Sequence, residues 1–145
     1  MNLKDITKEL ENNPNIQKIK LILNNYNSDD YKEYINFDEN NYKRTIIHTC
    51  DDFDIILICW KQGQYTKIHD HPNYCCMVKL LEGKLLEENF TINYDKLKVY
   101  NNVIIKPGDI TMKCSNIIVH RIVPLEDSVS IHIYMPGKYK SNYYE

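Results

Sequence analysis

The chain has 145 residues, enough for one compact domain with a buried core and too few for two ordinary ones. Eighteen basic against twenty acidic side chains leave a net charge of −2, so no broad field draws it toward phosphate backbones or anionic membranes. Five cysteines at irregular spacing make no disulfide framework. The opening "MNLKDITKELENN" lacks the basic-then-apolar layout of a secretion signal, and no apolar run is long enough to cross a bilayer. The expectation is a single domain over residues 1–145, cytoplasmic and monomeric, with neither nucleic acid nor membrane as partner.

In chain order, residues 1–37 read as a helical segment. "NNPNIQKIKLILNN" sets Pro14 where a first helical turn tolerates it, with Asn13 as the cap and Ile16, Ile19, Leu21 and Ile22 as an apolar stripe. A second short helix is expected from Ser28 in "SDDYKEYINF". Beyond "DENNYKR" the texture changes to short runs rich in β-branched and aromatic residues, divided by Gly, Pro, Asn and Asp. These are "FDIILICW", "CCMVKLLEG", "KLLEENFTI", "KLKVYNNVIIKPGDI", "NIIVHRIVP" and "SVSIHIYMP". Many short strands at close intervals predict an antiparallel barrel or sandwich over residues 42–136, with the helical segment packed on it.

"KIHDHPNYCCMVK" holds two histidines one residue apart and two cysteines just after them. On a strand, residues two apart share a face about 7 Å apart, so His69 and His71 can converge on one ion while Asp70 faces away. Imidazole pairs suit Fe, Zn, Cu or Ni, and the remaining ligands decide among them. The two cysteines, Cys75 and Cys76, are candidates to complete a tetrahedral zinc site, which would make the chain a metal-binding module without redox chemistry.

The flanks point elsewhere. Gly63, His69, His71, Cys76 and Gly83 follow the spacing of the first cupin motif, with Cys76 in the place of its glutamate. Pro107 and Gly108 followed by His120 resemble the second motif. The resemblance implies a cupin (jelly-roll) β-barrel whose metal is held by His69, His71 and His120 with no carboxylate. Further along, Ser130, His132 and Tyr134 alternate on one strand and share a face. Together with "YKR" at 42–44, "LICW" ending at Trp60, "IHDH" and "HR", this ordered set resembles cysteine dioxygenase, the Fe(II) thiol dioxygenase family of the cupin superfamily.

That resemblance implies Fe(II) as cofactor, O₂ and a small thiol, L-cysteine, as reactants, and cysteine sulfinic acid as product. It implies that Arg44 holds the substrate carboxylate, with Tyr42 as its neighbour on the same segment. Tyr134 matches the active-site tyrosine, and Cys76 the cysteine joined to that ring through a thioether in animal enzymes. His132 and Ser130 match the groups that hydrogen-bond behind the tyrosine, and Trp60 a tryptophan packed nearby. Met135 precedes Pro136 where the family has serine, and Pro72 follows His71 where it has threonine or serine. Related substrates, 3-mercaptopropionate or cysteamine, are the alternatives within this chemistry. Cys75, one residue from Cys76, should face the other side of the strand and do no chemistry. Cys50, Cys59 and Cys114 read as small buried apolar groups. His48 has no motif around it.

Overall fold

The computed structural model describes residues 1–71, 75–113, 118–138 and 140–144. Two α-helices come first, α1 (Leu3–Asn12) and α2 (Ile16–Asn25), then a 3-10 turn at Asp30–Tyr34. Ten strands follow: β1 (Lys43–Thr49), β2 (Asp54–Trp60), β3 (Ile68–His69), β4 (Cys75–Glu82), β5 (Leu85–Asn93), β6 (Lys96–Ile105), β7 (Ile110–Lys113), β8 (Ile118–Pro124), β9 (Ser128–Met135) and β10 (Tyr143–Tyr144). No helix of the described residues is long and apolar enough to cross a membrane.

The helices start on asparagine caps. Asn2 accepts from the Asp5 N–H while Asp5 reaches back to the Asn2 N–H, a capping box that satisfies two orphan donors. The cap of α2 is Asn15, which accepts from the Gln17 N–H; Asn13 instead closes the end of α1, and Pro14 lies in the link, outside either helix. The apolar stripe of α2 is Ile19, Ile22 and Leu23, whereas Leu21 is 61% exposed. Leu21 lies on the solvent side because three- and four-residue steps, not two, return to the same helix face. The segment after Ser28 forms only the 3-10 turn, whose Tyr31 hydroxyl donates to Glu82 on β4.

The strands make two five-stranded antiparallel sheets, β1-β2-β9-β4-β7 and β10-β3-β8-β5-β6. Among the described residues no ladder joins one sheet to the other, so the expected barrel is a jelly-roll of two facing sheets rather than a closed cylinder. The first sheet is covered on both sides, which is why β2 is buried along its whole length. Ile55, Leu57, Cys59, Cys75, Met77, Ile131 and Ile133 pack outward against the helices. Ile56, Ile58, Trp60 and Leu80 point inward and meet Leu85, Ile105 and Ile122 of the other sheet. Each such side chain contributes about 1.5–3 kcal/mol by leaving water. Lys79 shares the outward face and is buried, its ammonium donating to the carbonyls of Leu23 and Tyr26 at 2.7 and 2.6 Å. It thereby closes the C-terminal end of α2 and fastens the helix to β4.

Gly83 makes the turn from β4 to β5 at φ +93°, and a Cβ there would lie 2.1 Å from the Ser128 hydroxyl oxygen. Both demands select glycine. The Met135–Pro136 peptide bond is cis.

Candidate active site

One end of the space between the sheets holds a cavity of about 320 Å³ lined from both sides. His69, His71 and His120 form its polar floor, and their ligating nitrogens all lie within 4.8 Å of one another. His69 ends β3 and pairs directly with His120 on β8. His71 lies just past the strand, not on it, so the two-residue spacing brings the rings together across a strand end. No cysteine joins the group among the described residues, which leaves the zinc reading without its fourth ligand.

The proton positions on two of these rings follow from their partners. His120 Nδ1 lies 2.9 Å from the Glu87 carboxylate and His69 Nδ1 lies 2.7 Å from the Lys67 carbonyl, and both partners can only accept. Each Nδ1 therefore carries the hydrogen, and the two Nε2 lone pairs face one another at 3.2 Å. Two cis ligands on one ion bound at about 2.0–2.1 Å stand roughly that far apart. His71 is buried and its Nδ1 meets no hydrogen-bond partner among the described residues. Burial, then the neighbouring His120, pushes His69 down to about 4 and lowers His71; burial lowers His120 against the raising effect of Glu87. Three neutral imidazoles with converging lone pairs fit a divalent transition-metal ion.

Behind His120, Glu87 divides its two oxygens. Oε2 accepts from His120, and Oε1 accepts from Asn89 at 3.2 Å and from Lys113 at 3.3 Å. Burial raises the Glu87 carboxyl, but His120, Lys113 and Asn89 outweigh it and hold the group at about 2. Such a carboxylate behind a ligating histidine fixes the ring and raises its basicity. Sequence reasoning missed Glu87; the available signal was an acid in phase with inward-facing Leu85 on a strand of alternating burial.

The inward face of the first sheet supplies the rest. Trp60 donates its indole N–H to Ser130 Oγ at 2.9 Å, Ser130 lies 2.7 Å from His132 Nε2, and His132 Nδ1 lies 3.3 Å from the Tyr134 hydroxyl. Burial holds His132 neutral, well below its ordinary range. With the indole occupying an acceptor site of Ser130, the arrangement that spends every buried donor has Ser130 donating to Nε2 and Nδ1–H donating to Tyr134. Tyr134 then has its own O–H left to donate, toward Cys76 or the cavity. Burial, then Cys76, raises the Tyr134 phenol, so it stays protonated. Cys76 is directly opposite Tyr134 in the β4–β9 ladder and hydrogen-bonds with it, while Cys75 packs against the helix side.

Arg44 and Tyr42 lie at the cavity mouth. The Arg44 guanidinium is 5.6 Å from the Tyr134 ring centre, and Tyr42 stacks on Trp60 with ring centres 5.0 Å apart. His48 is on β1, stacked on Phe53 and remote from the cavity. Cys59 is buried and Cys50 half-buried; Cys114 lies outside the described residues. The C-terminal strand β10 pairs with β3, bringing Tyr143 and Ser141 onto the cavity wall. Its fastening is Asp70, which does face away from the histidines. Its carboxylate accepts from the Asn142 backbone N–H at 2.8 Å and side-chain amide at 2.9 Å.

A jelly-roll whose cavity is lined by three converging histidines that could hold a metal ion, together with a tyrosine, defines a cupin with a candidate metal site. The solved structures agree on the fold. A Klebsiella pneumoniae protein with a double-stranded β-helix domain superposes with TM-score 0.65 at 18% identity, covering 83% of this chain and 93% of its own. A cupin superfamily protein from Desulfitobacterium hafniense does so with TM-score 0.58 at 16% identity, covering 71% and 84%. The model of the family "Cysteine dioxygenase type I" matches residues 1–145, and the chain belongs to that family. Its relatives include cysteine dioxygenase type 1 of Homo sapiens, 29% identical over 135 residues, and that of Rattus norvegicus, 30% identical. Both alignments cover 84% of this chain and 66% of the relative, so the chain spans just under two thirds of the length of these curated relatives.

Proposed function

We propose that the chain is an Fe(II)-dependent thiol dioxygenase that converts L-cysteine and O₂ to cysteine sulfinic acid. The observation that carries this reading is one cavity lined by three neutral, converging imidazoles, a protonated tyrosine and an arginine at its mouth. Iron held by His69, His71 and His120 would supply the one-electron chemistry that lets O₂ react with a thiolate. The overall change balances without an external reductant: a thiolate and O₂ become a sulfinate, with sulfur losing four electrons and O₂ gaining four.

The chain's own residues handle position and protons. Arg44 offers a planar fork to the carboxylate of the amino acid, fixing the end of the substrate remote from sulfur. Tyr42, stacked on Trp60, backs that contact. Tyr134 presents its hydroxyl hydrogen to the reacting end, and Ser130 and His132 hold the phenol from behind so that it does not turn away. Ile58, Leu85, Ile105 and Ile122 line the wall and limit water. We read Cys76 and Tyr134 as the partners of a thioether.

Among related thiols, 3-mercaptopropionate keeps the carboxylate that Arg44 would pair with, whereas cysteamine lacks it. The thiols Cys50 and Cys59 are unbridged, which supports a reducing, cytoplasmic setting. We read residues 1–145 as one domain acting as a monomer. The test is O₂ uptake by iron-loaded protein across these three thiols, with mass spectrometry of the products. A gain of two oxygen atoms on cysteine is expected, and absence of uptake with every thiol refutes the reading.

A further inference from the structure

Lys113 has no part in the reading above. It ends β7 on the first sheet, opposite Cys76, which is in turn opposite Tyr134, so the three form one cross-strand row. Its ammonium does not stay in that row. It crosses to the facing sheet and meets Glu87 Oε1 at 3.3 Å, with side-chain exposures of 19% for the lysine and 2% for the glutamate. Glu87 in turn holds His120 through its other oxygen. A cation is thus tied to the back of one metal-ligating histidine from the sheet that carries the tyrosine.

We propose that Lys113 is a positioning residue that sets the donor strength of His120 by dividing the Glu87 carboxylate with it. A lone carboxylate behind an imidazole pulls on the Nδ1 hydrogen and pushes the ring toward imidazolate character, a strong and strongly anionic ligand. An ammonium on the second oxygen draws electron density the other way and fixes the carboxylate plane, leaving His120 oriented but closer to neutral. Burying the pair makes the effect felt, because little water intervenes to screen it. Asn89, also on Oε1, completes the fixation from the strand that bears Glu87.

This inference rests on the three-histidine metal site but not on the dioxygenase chemistry, so it is tested with Co(II) alone as the probe. Dissociation constants by chelator competition and the visible d–d spectrum are measured for wild type and four variants. Glu87→Gln should weaken Co(II) binding by about 10- to 100-fold. Lys113→Met, which keeps length and loses charge, should tighten it on the order of tenfold and shift the d–d bands. Lys113→Arg should restore both to near wild type. In the double variant Glu87→Gln/Lys113→Met, the lysine substitution should lose at least half of its effect, because its route through the carboxylate is gone.

The proposal is overturned if Lys113→Met folds and matches wild type in affinity and spectrum. It is also overturned if the lysine effect is as large without the Glu87 charge as with it. If Lys113→Met does not fold, the double variant against Glu87→Gln alone decides: equal affinity and spectrum support the carboxylate route, a full tenfold difference refutes it. Wild type that binds Co(II) yet consumes no O₂ with iron and thiols refutes the dioxygenase reading only. Wild type that binds no Co(II) refutes the metal site and this inference together.

Discussion

Cys76 on β4 and Tyr134 on β9 are directly opposed in an antiparallel ladder, on the same face of the sheet, and Tyr134 lines the cavity. Opposed residues on one face have Cβ atoms about 4.5–5.5 Å apart, close enough for a thioether to form without moving the backbone. Joining sulfur to a ring carbon removes one hydrogen from each, and O₂ accepts the electrons. Intact-mass measurement after aerobic turnover with iron and cysteine should therefore show the loss of two hydrogen atoms. Tryptic mapping should find the peptides of Cys76 and Tyr134 joined, and Cys76→Ala should abolish the change. Two unmodified peptides in fully active protein would remove the bond from the account.

Arg44→Ala should raise KM for cysteine and for 3-mercaptopropionate by about 10- to 100-fold, the worth of a charge-assisted hydrogen-bond pair. Cysteamine has no carboxylate to lose, so its KM should hardly change. Steady-state kinetics on the three thiols tests the assignment, and an equal loss for all of them would show that Arg44 does something other than grip the carboxylate.

The metal-free protein should be acid-labile. His69 is held near 4, and His71, His120 and His132 are also lowered in the folded state. Unfolding returns each to about 6.5, so below that pH the unfolded chain takes up protons that the folded chain refuses. Stability is thus fully present above 6.5 and falls with decreasing pH, for His69 until about 4 is reached. The slope is at most about 1.4 kcal/mol per pH unit for each histidine concerned. Thermal melts of metal-free protein between pH 7 and 4 should show the decline, and a bound divalent metal should offset it. A flat profile would mean that the histidines are accessible to protons.

Asp70→Asn should loosen the C-terminal strand without touching a ligating nitrogen, because its carboxylate accepts from both Asn142 donors. With Tyr143 freed from the wall beside His69, KM for small thiols should rise while the affinity for Co(II) changes less than about threefold. Hydrogen exchange at Tyr143 and Tyr144 should accelerate. An unchanged KM with faster exchange would show that the strand is not part of substrate binding.

Much of this was legible in the sequence because its signals are local. Six apolar runs became strands, and Ser130, His132 and Tyr134 share a face as their alternation required. Where readings failed, a neighbour outside the local window decided. β3 and β10 have two residues each and exist through their partners, His120 and each other. His71 lies past the end of its strand, yet its ring still groups with those of His69 and His120 on the cavity wall. The role of Lys79 depends on the end of α2, and that of Lys113 on a glutamate from the facing sheet. No periodicity announces either pairing.

The first sheet has one further consequence. Along β9 Ser130, His132 and Tyr134 face the other sheet, and they alternate with Ile131, Ile133 and Met135, which face the helices. β4 follows the same parity through Cys76 and Met77. Neighbouring positions on these strands therefore face different surroundings, the space between the sheets for one set and the helices for the other. A single inserted residue would exchange the two sets and send Tyr134 into the helix interface. This sheet is for that reason intolerant of length changes even where it accepts substitutions.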